Sequence, residues 1–207
     1  MKLLHIDSSI SGEGSATRRI STAVVEALRA THPGLAVARR DLDDTPVPHL
    51  DSRRVGVVRP DLGAATATAL ADAEQILQEF MAADIIVIGA PMYNFGIPSQ
   101  LKAWIDHVVV GGRTFRYGDN GPEGLAGGKR VIIASARGGR YADGAPLAAL
   151  DFQETYLRAV FGFIGVVDVE FVRAEGLAMG PEGRDGSLRA ALAGAAALAD
   201  PAPALAA

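Results

Sequence analysis

The 207-residue sequence contains no cysteine. Disulfides, thiolate nucleophiles, and zinc or iron–sulfur sites with cysteine ligands are therefore excluded. The lack of cysteine fits a reducing compartment, and we expect the chain to be cytoplasmic. No apolar run approaches the roughly 18 residues of a membrane span. The first residues also do not form a signal peptide, so we expect no membrane partner.

An excess of basic residues is missing as well. Lys and Arg number 20 against 24 Asp and Glu, which gives a formal net charge of -4. Nucleic acid is therefore not the expected partner, since binding a phosphate backbone needs a basic face. The apolar share of 49% with 21% charged residues is typical of a globular chain. The length suits one domain over residues 1–207.

Strand-like and helix-like segments alternate along the chain. The predicted strands are 2–7, 35–42, 84–90, 130–135 and 166–172. The predicted helices are about 16–31, 65–82, 98–110, 147–161 and 185–199. Such alternation predicts an α/β fold with a parallel sheet covered by helices. We expect a surface connection over 41–63 and a frayed tail over 200–207.

The hydrophobic patterns of the strands predict their order in the sheet. The runs 85–88 and 131–134 are continuously apolar, as in strands buried on both faces. The second and fifth strands, which contain AVARRD and VVDVEFV, include charged residues and suit the sheet edges. The order 2-1-3-4-5 places those two at the edges and is that of a flavodoxin-like, doubly wound five-stranded sheet. In such sheets ligands bind beyond the carboxyl ends of the strands, so the loops after strands one, three and four should carry the function.

The loop after strand one is rich in hydroxyls and glycine. It reads DSSISGEGSATRRIS (7–21) and continues into the first helix. The hydroxyls of Ser9, Ser15 and Thr17, with the free N–H groups of the first helical turn, predict a phosphate site. The alternative is that Ser15 or Thr17 simply caps the helix.

The same loop also has to be tested as a nucleotide motif. It contains no GxxxxGK[ST], which excludes a P-loop. The segment GEGSAT (12–17) partly matches GxGxxG, and Asp41 stands at the end of the next strand like a ribose-binding acid. A nicotinamide dehydrogenase without flavin is therefore one alternative function.

The loop after strand three, APMYNFGIPSQ (90–100), favours a flat ring such as isoalloxazine. Met92 and Phe95 could pack on the apolar edge of the ring while Asn94 bonds its polar edge. The alternative is that Met92 and Phe95 belong to the core, which the flanking prolines and glycine disfavour.

In the loop after strand four, Gly138 and Gly139 allow the backbone to approach a ligand closely. Arg137 could either touch the ring or be solvated.

Four blocks in order resemble the bacterial FMN-dependent NADH azoreductase and quinone reductase family. They are PMYNF (91–95), TFRYGDNGPEGL (114–125), SARGG (135–139) and GFIG (162–165). RDL at 40–42 and FVRAEG at 171–176 extend the resemblance over nearly the whole chain. Two departures concern Ala136, where serine is frequent, and the stretch after the glycine pair, whose length varies. They bear on substrate preference more than on flavin binding.

The resemblance implies an FMN site, a reaction and a dimer. The FMN would be held by Ser9, Ser15, Ala16, Thr17, Met92, Tyr93, Asn94, Phe95, Ala136, Arg137, Gly138 and Gly139. NADH would reduce the flavin and leave before a quinone or azo compound is reduced, a ping-pong reaction in which the flavin carries the chemistry. Tyr117 and Phe163 would bind the acceptor over the flavin, with Phe163 reaching in from the partner subunit of a homodimer.

Two further readings accompany this one. A flavodoxin-like electron-transfer module without substrate turnover is the alternative from another class, although such carriers are usually more acidic. No catalytic residue is predicted, because the flavin carries the chemistry. No metal site is predicted, because the four histidines lie on separate elements without ligand spacing. Trp104 has helical spacing from Leu101 and Val108, which indicates packing.

Overall fold

The computed structural model describes residues 1–52 and 54–198. In this part of the chain the β-strands are β1 (Lys2–Asp7), β2 (Ala36–Asp41), β3 (Ile85–Pro91), β4 (Phe115–Gly118), β5 (Gly121–Gly124), β6 (Arg130–Ala136) and β7 (Asp168–Ala174). The α-helices are α1 (Ala16–Thr31), α2 (Ala67–Ala82), α3 (Ser99–Val108), α4 (Phe152–Phe163) and α5 (Pro181–Ala197). The predicted tail over 200–207 and the last residue of the predicted fifth helix lie outside the described residues.

Five of the strands form one parallel sheet in the order β2-β1-β3-β6-β7. This order confirms the predicted flavodoxin-like arrangement, with the second and fifth sheet strands at the edges. Every residue of the central strand β3 is buried, whereas β2 at the edge is half-buried or exposed along its length. The switch point, where the strand order reverses, lies between β1 and β3. The helix that follows β1 and the helix that follows β3 cover opposite faces of the sheet.

Alternate side chains of the strands feed two separate hydrophobic cores. Ile85 and Val87 of β3 point to the layer that contains α1 and α5, where Leu28 and Leu188 are buried. Ile86 and Ile88 point to the layer of α2, α3 and α4, whose core includes Phe80, Trp104 and Phe161. The helices therefore cover both faces, as the continuously apolar strands predicted. Trp104 is fully buried in this core, so its expected packing role is confirmed.

The β4–β5 hairpin was not predicted. It is antiparallel and pairs Phe115 with Gly124. A Cβ at Gly124 would stand 2.1 Å from the backbone nitrogen of Gly165, so the hairpin packs directly on the chain just after α4. Short four-residue strands that contain glycine and proline carry no alternating apolar pattern, so they could not be predicted from the sequence.

The predicted starts of α4 and β7 were five and two residues too early. The helix begins at Phe152, because Asp151 caps it by accepting a hydrogen bond from the backbone N–H of Glu154 at 3.0 Å. The next strand begins at Asp168, since Val166 N still bonds to Phe161 O at 2.9 Å in the turn that ends the helix. Within residues 1–52 and 54–198, no helix has both the length and the apolar character needed to cross a membrane.

Candidate functional site

The loops after β1, β3 and β6 meet at the carboxyl edge of the sheet. Met92 N donates to Ala136 O at 2.9 Å and so joins the second loop to the third. The phenol oxygen of Tyr93 accepts a hydrogen bond from Ile10 N at 3.3 Å and lies 3.5 Å from Ser9 Oγ, which joins the second loop to the first. These contacts join residues that are 44 to 84 positions apart along the chain.

Ser15 caps α1, as one of the alternatives proposed. Its Oγ accepts a hydrogen bond from Arg18 N at 3.2 Å and lies 3.0 Å from Thr17 Oγ1. Both side chains are buried at the start of the helix. Capping does not exclude a role in anion binding, because a hydroxyl that accepts can still donate. Within the pair formed by Ser15 and Thr17, one hydroxyl proton is used and the other stays available.

The start of α1 suits an anion such as a phosphate. The N–H groups of Ala16 and Thr17 lie in the first turn of the helix, where backbone N–H groups have no intrahelical acceptor. The helix dipole adds partial positive charge at the same point. The Arg18 side chain is engaged elsewhere, since its Nη2 donates to Ser9 O at 2.9 Å and to Asp41 Oδ1 at 2.8 Å. The residues present therefore fit a phosphate held by backbone N–H groups and hydroxyls.

Asp41 is already engaged within the protein, which counts against the dinucleotide alternative. Arg18 holds its carboxylate and lowers its pKa below the ordinary value through that hydrogen bond. The glycines of the partial GxGxxG motif also form a separate 3₁₀ turn, Gly12–Gly14, before the helix begins. A ribose-binding role for Asp41 is therefore not supported.

A buried carboxylate lies behind the first loop. Asp7, at the carboxyl end of β1, is 1% exposed and accepts hydrogen bonds from Ser21 Oγ at 2.9 Å and Arg39 Nη2 at 3.0 Å. His5 Nε2 lies 3.4 Å from it. Burial raises the pKa of Asp7, but the interactions of its carboxylate with His5, Ser21 and Arg39 together outweigh burial and bring the pKa down to about 2. Asp7 is thus an ionised group that fixes the end of β1 to α1.

The second loop contains a strained turn. Tyr93 and Gly96 exchange two backbone hydrogen bonds of 3.0 Å, and the residues between them, Asn94 and Phe95, have φ angles of 48° and 70°. Positive φ at both central positions is the geometry of a tight hairpin turn that normally needs glycine or asparagine. A phenylalanine there is unfavourable by roughly 1–2 kcal/mol. Residues held in such conformations cluster at ligand sites.

The turn presents its side chains outward. Phe95 is 41% exposed and Met92 is half-buried, so neither is an ordinary core residue. Asn94 is exposed beside them. The core alternative for Phe95 is therefore wrong, and an apolar surface next to a polar amide remains available to a flat ring.

In the third loop the side chain of Arg137 points inward, so both expectations for it were wrong. It is fully buried and donates to the oxygens of Ser135, Asp151, Glu154 and Glu175. The guanidinium is therefore neither solvated nor free to touch a ring. Sequence reasoning could not see this, because its three carboxylate partners lie 14 to 38 residues further along the chain.

The glycine pair next to Arg137 lies against other side chains. A Cβ at Gly139 would stand 3.2 Å from the Tyr141 ring, and one at Gly138 would stand 3.4 Å from Ala178 Cβ. Tyr141 also contacts Phe95 edge to face, with 6.3 Å between the ring centroids. Sequence reasoning missed Tyr141, although an aromatic residue two positions after a glycine pair was a usable signal. It links the second and third loops on the solvent side.

Tyr117 and Phe163 lie together, but at the amino edge of the sheet. The ring of Phe115 contacts both, with centroid distances of 5.7 Å to Tyr117 and 4.7 Å to Phe163. Phe163 ends α4, whose first turn is at the carboxyl edge. Twelve residues at 1.5 Å each separate the two ends by about 18 Å. Within one chain, the structure therefore does not bring these two aromatics to the three loops.

The chain matches the model of a protein family described as having a flavodoxin-like fold, over residues 1–199. Among its curated relatives is the FMN-dependent NADH:quinone oxidoreductase 1 of Xanthomonas euvesicatoria pv. vesicatoria (strain 85-10). The two are 58% identical over 194 residues, which is 94% of each protein.

Solved structures of similar proteins have the same fold as this chain. The crystal structure of azoreductase from Bacillus anthracis str. Sterne aligns with a TM-score of 0.86 at 29% identity and covers 96% of this chain and 98% of the other. An FMN-dependent NADH-azoreductase from Bacillus anthracis str. Ames Ancestor, in complex with FMN, aligns with a TM-score of 0.83 at 26% identity. That alignment covers 96% of this chain and 99% of the other.

Proposed function

We propose that this chain is an FMN-dependent NADH:quinone oxidoreductase that also cleaves aromatic azo compounds. The chain belongs to the family with the flavodoxin-like fold that its residues 1–199 match. Two curated relatives, 58% and 56% identical to this chain, are named FMN-dependent NADH:quinone oxidoreductase. Solved azoreductase structures that cover 96% of this chain share its fold. The enzyme is an oxidoreductase with FMN as cofactor and NADH as donor.

The observation that carries the proposal is the meeting of the three loops at the carboxyl edge. A helix start with spare N–H groups and hydroxyls stands next to an exposed aromatic turn, and the phenol of Tyr93 ties the two together. One end of this arrangement suits a phosphate and the other suits a flat ring, which are the two ends of FMN. When bound, FMN supplies the transfer of an electron pair from NADH to the acceptor.

The residues of this chain bind and orient rather than react. Ser9, Ser15, Ala16 and Thr17 would hold the phosphate with hydroxyls and backbone N–H groups. The segment from Met92 to Phe95 would provide an apolar side and an amide for the ring. In the third loop Ala136, Arg137, Gly138 and Gly139 would contribute through their backbone, because the Arg137 side chain is engaged elsewhere. No catalytic acid or base from the protein is needed.

The acceptor site is completed across a homodimer in this proposal. Tyr117 is 76% exposed and lies with Phe115 and Phe163 at the amino edge, about a helix length from the loops of its own chain. An exposed aromatic cluster of this kind suits a second copy of the chain, over whose ring site it would form the wall of a slot for a flat acceptor. The proposed location is cytoplasmic, and the lack of cysteine in the sequence supports it.

Steady-state kinetics test the proposal directly. The purified protein is reconstituted with FMN and assayed with NADH and a benzoquinone, both varied. One ring face must serve the donor and the acceptor in turn, so we expect parallel double-reciprocal lines. Anaerobic NADH alone should bleach the visible flavin absorbance.

Free FMN at the same concentration is the control. If turnover is no faster than with this control, the proposed enzymatic activity is rejected. The alternative function, an electron-transfer module without substrate turnover, is then favoured. Intersecting lines without bleaching by NADH alone would reject the alternating use of one site.

A further inference from the structure

A chain of buried polar side chains links the ends of β3 and β6. Gln153 Nε2 donates to Ala90 O at 3.0 Å, and Gln153 Oε1 accepts from Ser135 Oγ at 2.8 Å. Ser135 Oγ in turn accepts from Arg137 Nε at 3.0 Å. Gln153 and Ser135 are fully buried and Arg137 is 1% exposed. We call these three residues the relay.

The far end of the relay is a buried cation shared by three carboxylates. The Arg137 guanidinium donates to Asp151 at 2.8 Å, to Glu154 at 2.5 Å and to Glu175 at 3.1 Å. Asp151 is the N-cap of α4, and Glu175 also accepts the backbone N–H of Tyr141 at 2.9 Å. Arg137 therefore fastens the start of α4 and the segment after the glycine pair to the end of β6.

The relay spans both loops that the ring site uses. Ala90 lies two residues before Met92, whose N–H is bonded to the carbonyl of Ala136. Ala136 itself stands between Ser135 and Arg137. The relay and the Met92–Ala136 bond thus close a ring of contacts around the roots of the second and third loops.

We propose that Gln153, Ser135 and Arg137 are positioning residues of the flavin site. They hold the second and third loops, which would contact the flavin ring, at a fixed separation. This inference rests on the proposed function. The physical reason is the strained turn at Asn94 and Phe95, because such a conformation persists only where the surroundings over-determine it. The relay supplies that constraint from below, and its donors and acceptors are paired inside the protein, where an unpaired one would be costly.

The variant Gln153→Leu tests the relay, since it keeps the size of the side chain but removes both hydrogen bonds. Hydrogen exchange is measured by mass spectrometry on the protein without FMN, and FMN affinity by fluorescence titration. We expect faster exchange in 90–97 and 136–142, with β1 and α2 unchanged. FMN affinity should fall about ten- to a hundredfold, because the loops are no longer held by these two hydrogen bonds and must be ordered when FMN binds.

Lys129→Met is the matched control. Lys129 Nζ donates to the carbonyls of Met81 and Ala83 at 2.8 Å each, at the opposite edge of the sheet. Losing these bonds should lower stability while leaving exchange in 90–97 and 136–142, and FMN affinity, as in the wild type. If Gln153→Leu raises exchange no more in the two loops than elsewhere, the relay only stabilises the fold and the inference is wrong.

Ser135→Ala provides a milder variant in case Gln153→Leu does not fold. It removes the hydroxyl that joins Arg137 to Gln153 and leaves almost the same volume, so it should show the same local exchange in smaller measure. Unchanged loop exchange in Ser135→Ala would overturn the relay. Failure of the wild-type protein to bind FMN would instead count against the proposed function, and it would be seen separately from the exchange data.

Discussion

Gly89 of β3 lies against the carboxylate of Asp7 on β1, its partner in the sheet register. A Cβ at residue 89 would stand 2.8 Å from Asp7 Oδ1 and 3.4 Å from Ser21 Oγ. The missing side chain leaves room for a buried carboxylate and for the start of α1 at the switch point. The first loop can therefore pack closely against the edge of the sheet, next to the loop that follows β3.

We expect Gly89→Ala to destabilise the protein by about 1–3 kcal/mol, because the added methyl group must displace a buried and hydrogen-bonded carboxylate. The free energy of unfolding in urea measures this. Gly186→Ala is the matched control, since nothing lies within 4 Å of a Cβ at that position of α5. It should leave stability equal or raise it, as alanine favours a helix. Equal stability of the two variants would show that the Asp7 contact is loose.

The lowered pKa of Asp7 predicts a pH dependence. Its pKa is about 2 in the folded protein against an ordinary value of 3.8. The folded state therefore favours the carboxylate, which contributes about 2 kcal/mol above pH 4 and loses that contribution as the pH falls towards 2. Unfolding in urea across the acid range should show Asp7→Asn less stable than the wild type near neutral pH. The difference should shrink below pH 4, and a difference independent of pH would contradict the assignment.

Ser15→Asp separates capping from phosphate binding. Aspartate is as good an N-cap as serine, so the helix and the thermal stability should be kept. Its charge should oppose a phosphate at the start of α1, and the lost hydrogen bond alone is worth roughly 1.5–3 kcal/mol of FMN affinity. Ser15→Ala is the companion variant, which loses the cap and about 1 kcal/mol of stability. Equal FMN affinity of Ser15→Asp and the wild type, by fluorescence titration, would exclude a phosphate at this position.

Phe163 and Phe161, both on α4, allow a test of the shared acceptor site. Phe161 is 1% exposed in the core, and Phe161→Ala should cost roughly 3–5 kcal/mol of stability. Phe163 is half-buried at the helix end, so Phe163→Ala should cost less and raise the KM for the quinone instead. Light scattering at assay concentration should give a dimer. A monomer, or a Phe163→Ala protein with unchanged acceptor kinetics, would reject the shared site.

The sequence predicted the sheet because its local patterns are strong. β1 and α1 have the predicted bounds, and the charged residues of AVARRD and VVDVEFV correctly assigned the two edge strands. The three loops at the carboxyl edge follow from that order alone. The residues of these loops could be named from the sequence, because the carboxyl ends of parallel strands all lie at the same edge of the sheet.

What the sequence could not predict depends on contacts between distant residues. Arg137 is buried because Asp151, Glu154 and Glu175 surround it, and nothing local to Arg137 announces them. Tyr117 was placed near the flavin by family resemblance, whereas its position at the amino edge depends on a hairpin without an apolar pattern. The capping by Ser15 was foreseen only as one of two uses, because both need the same hydroxyl at a helix start.

The turn at Asn94 and Phe95 also bears on how this protein can be engineered. Asparagine followed by glycine is the sequence that such a turn prefers, so a screen for heat resistance would be drawn towards glycine at position 95. The same change would remove the exposed ring from the mouth of the site. A library intended to raise thermal tolerance should therefore leave position 95 fixed and look for gains in α5, where Gly183 and Gly186 have open space around them.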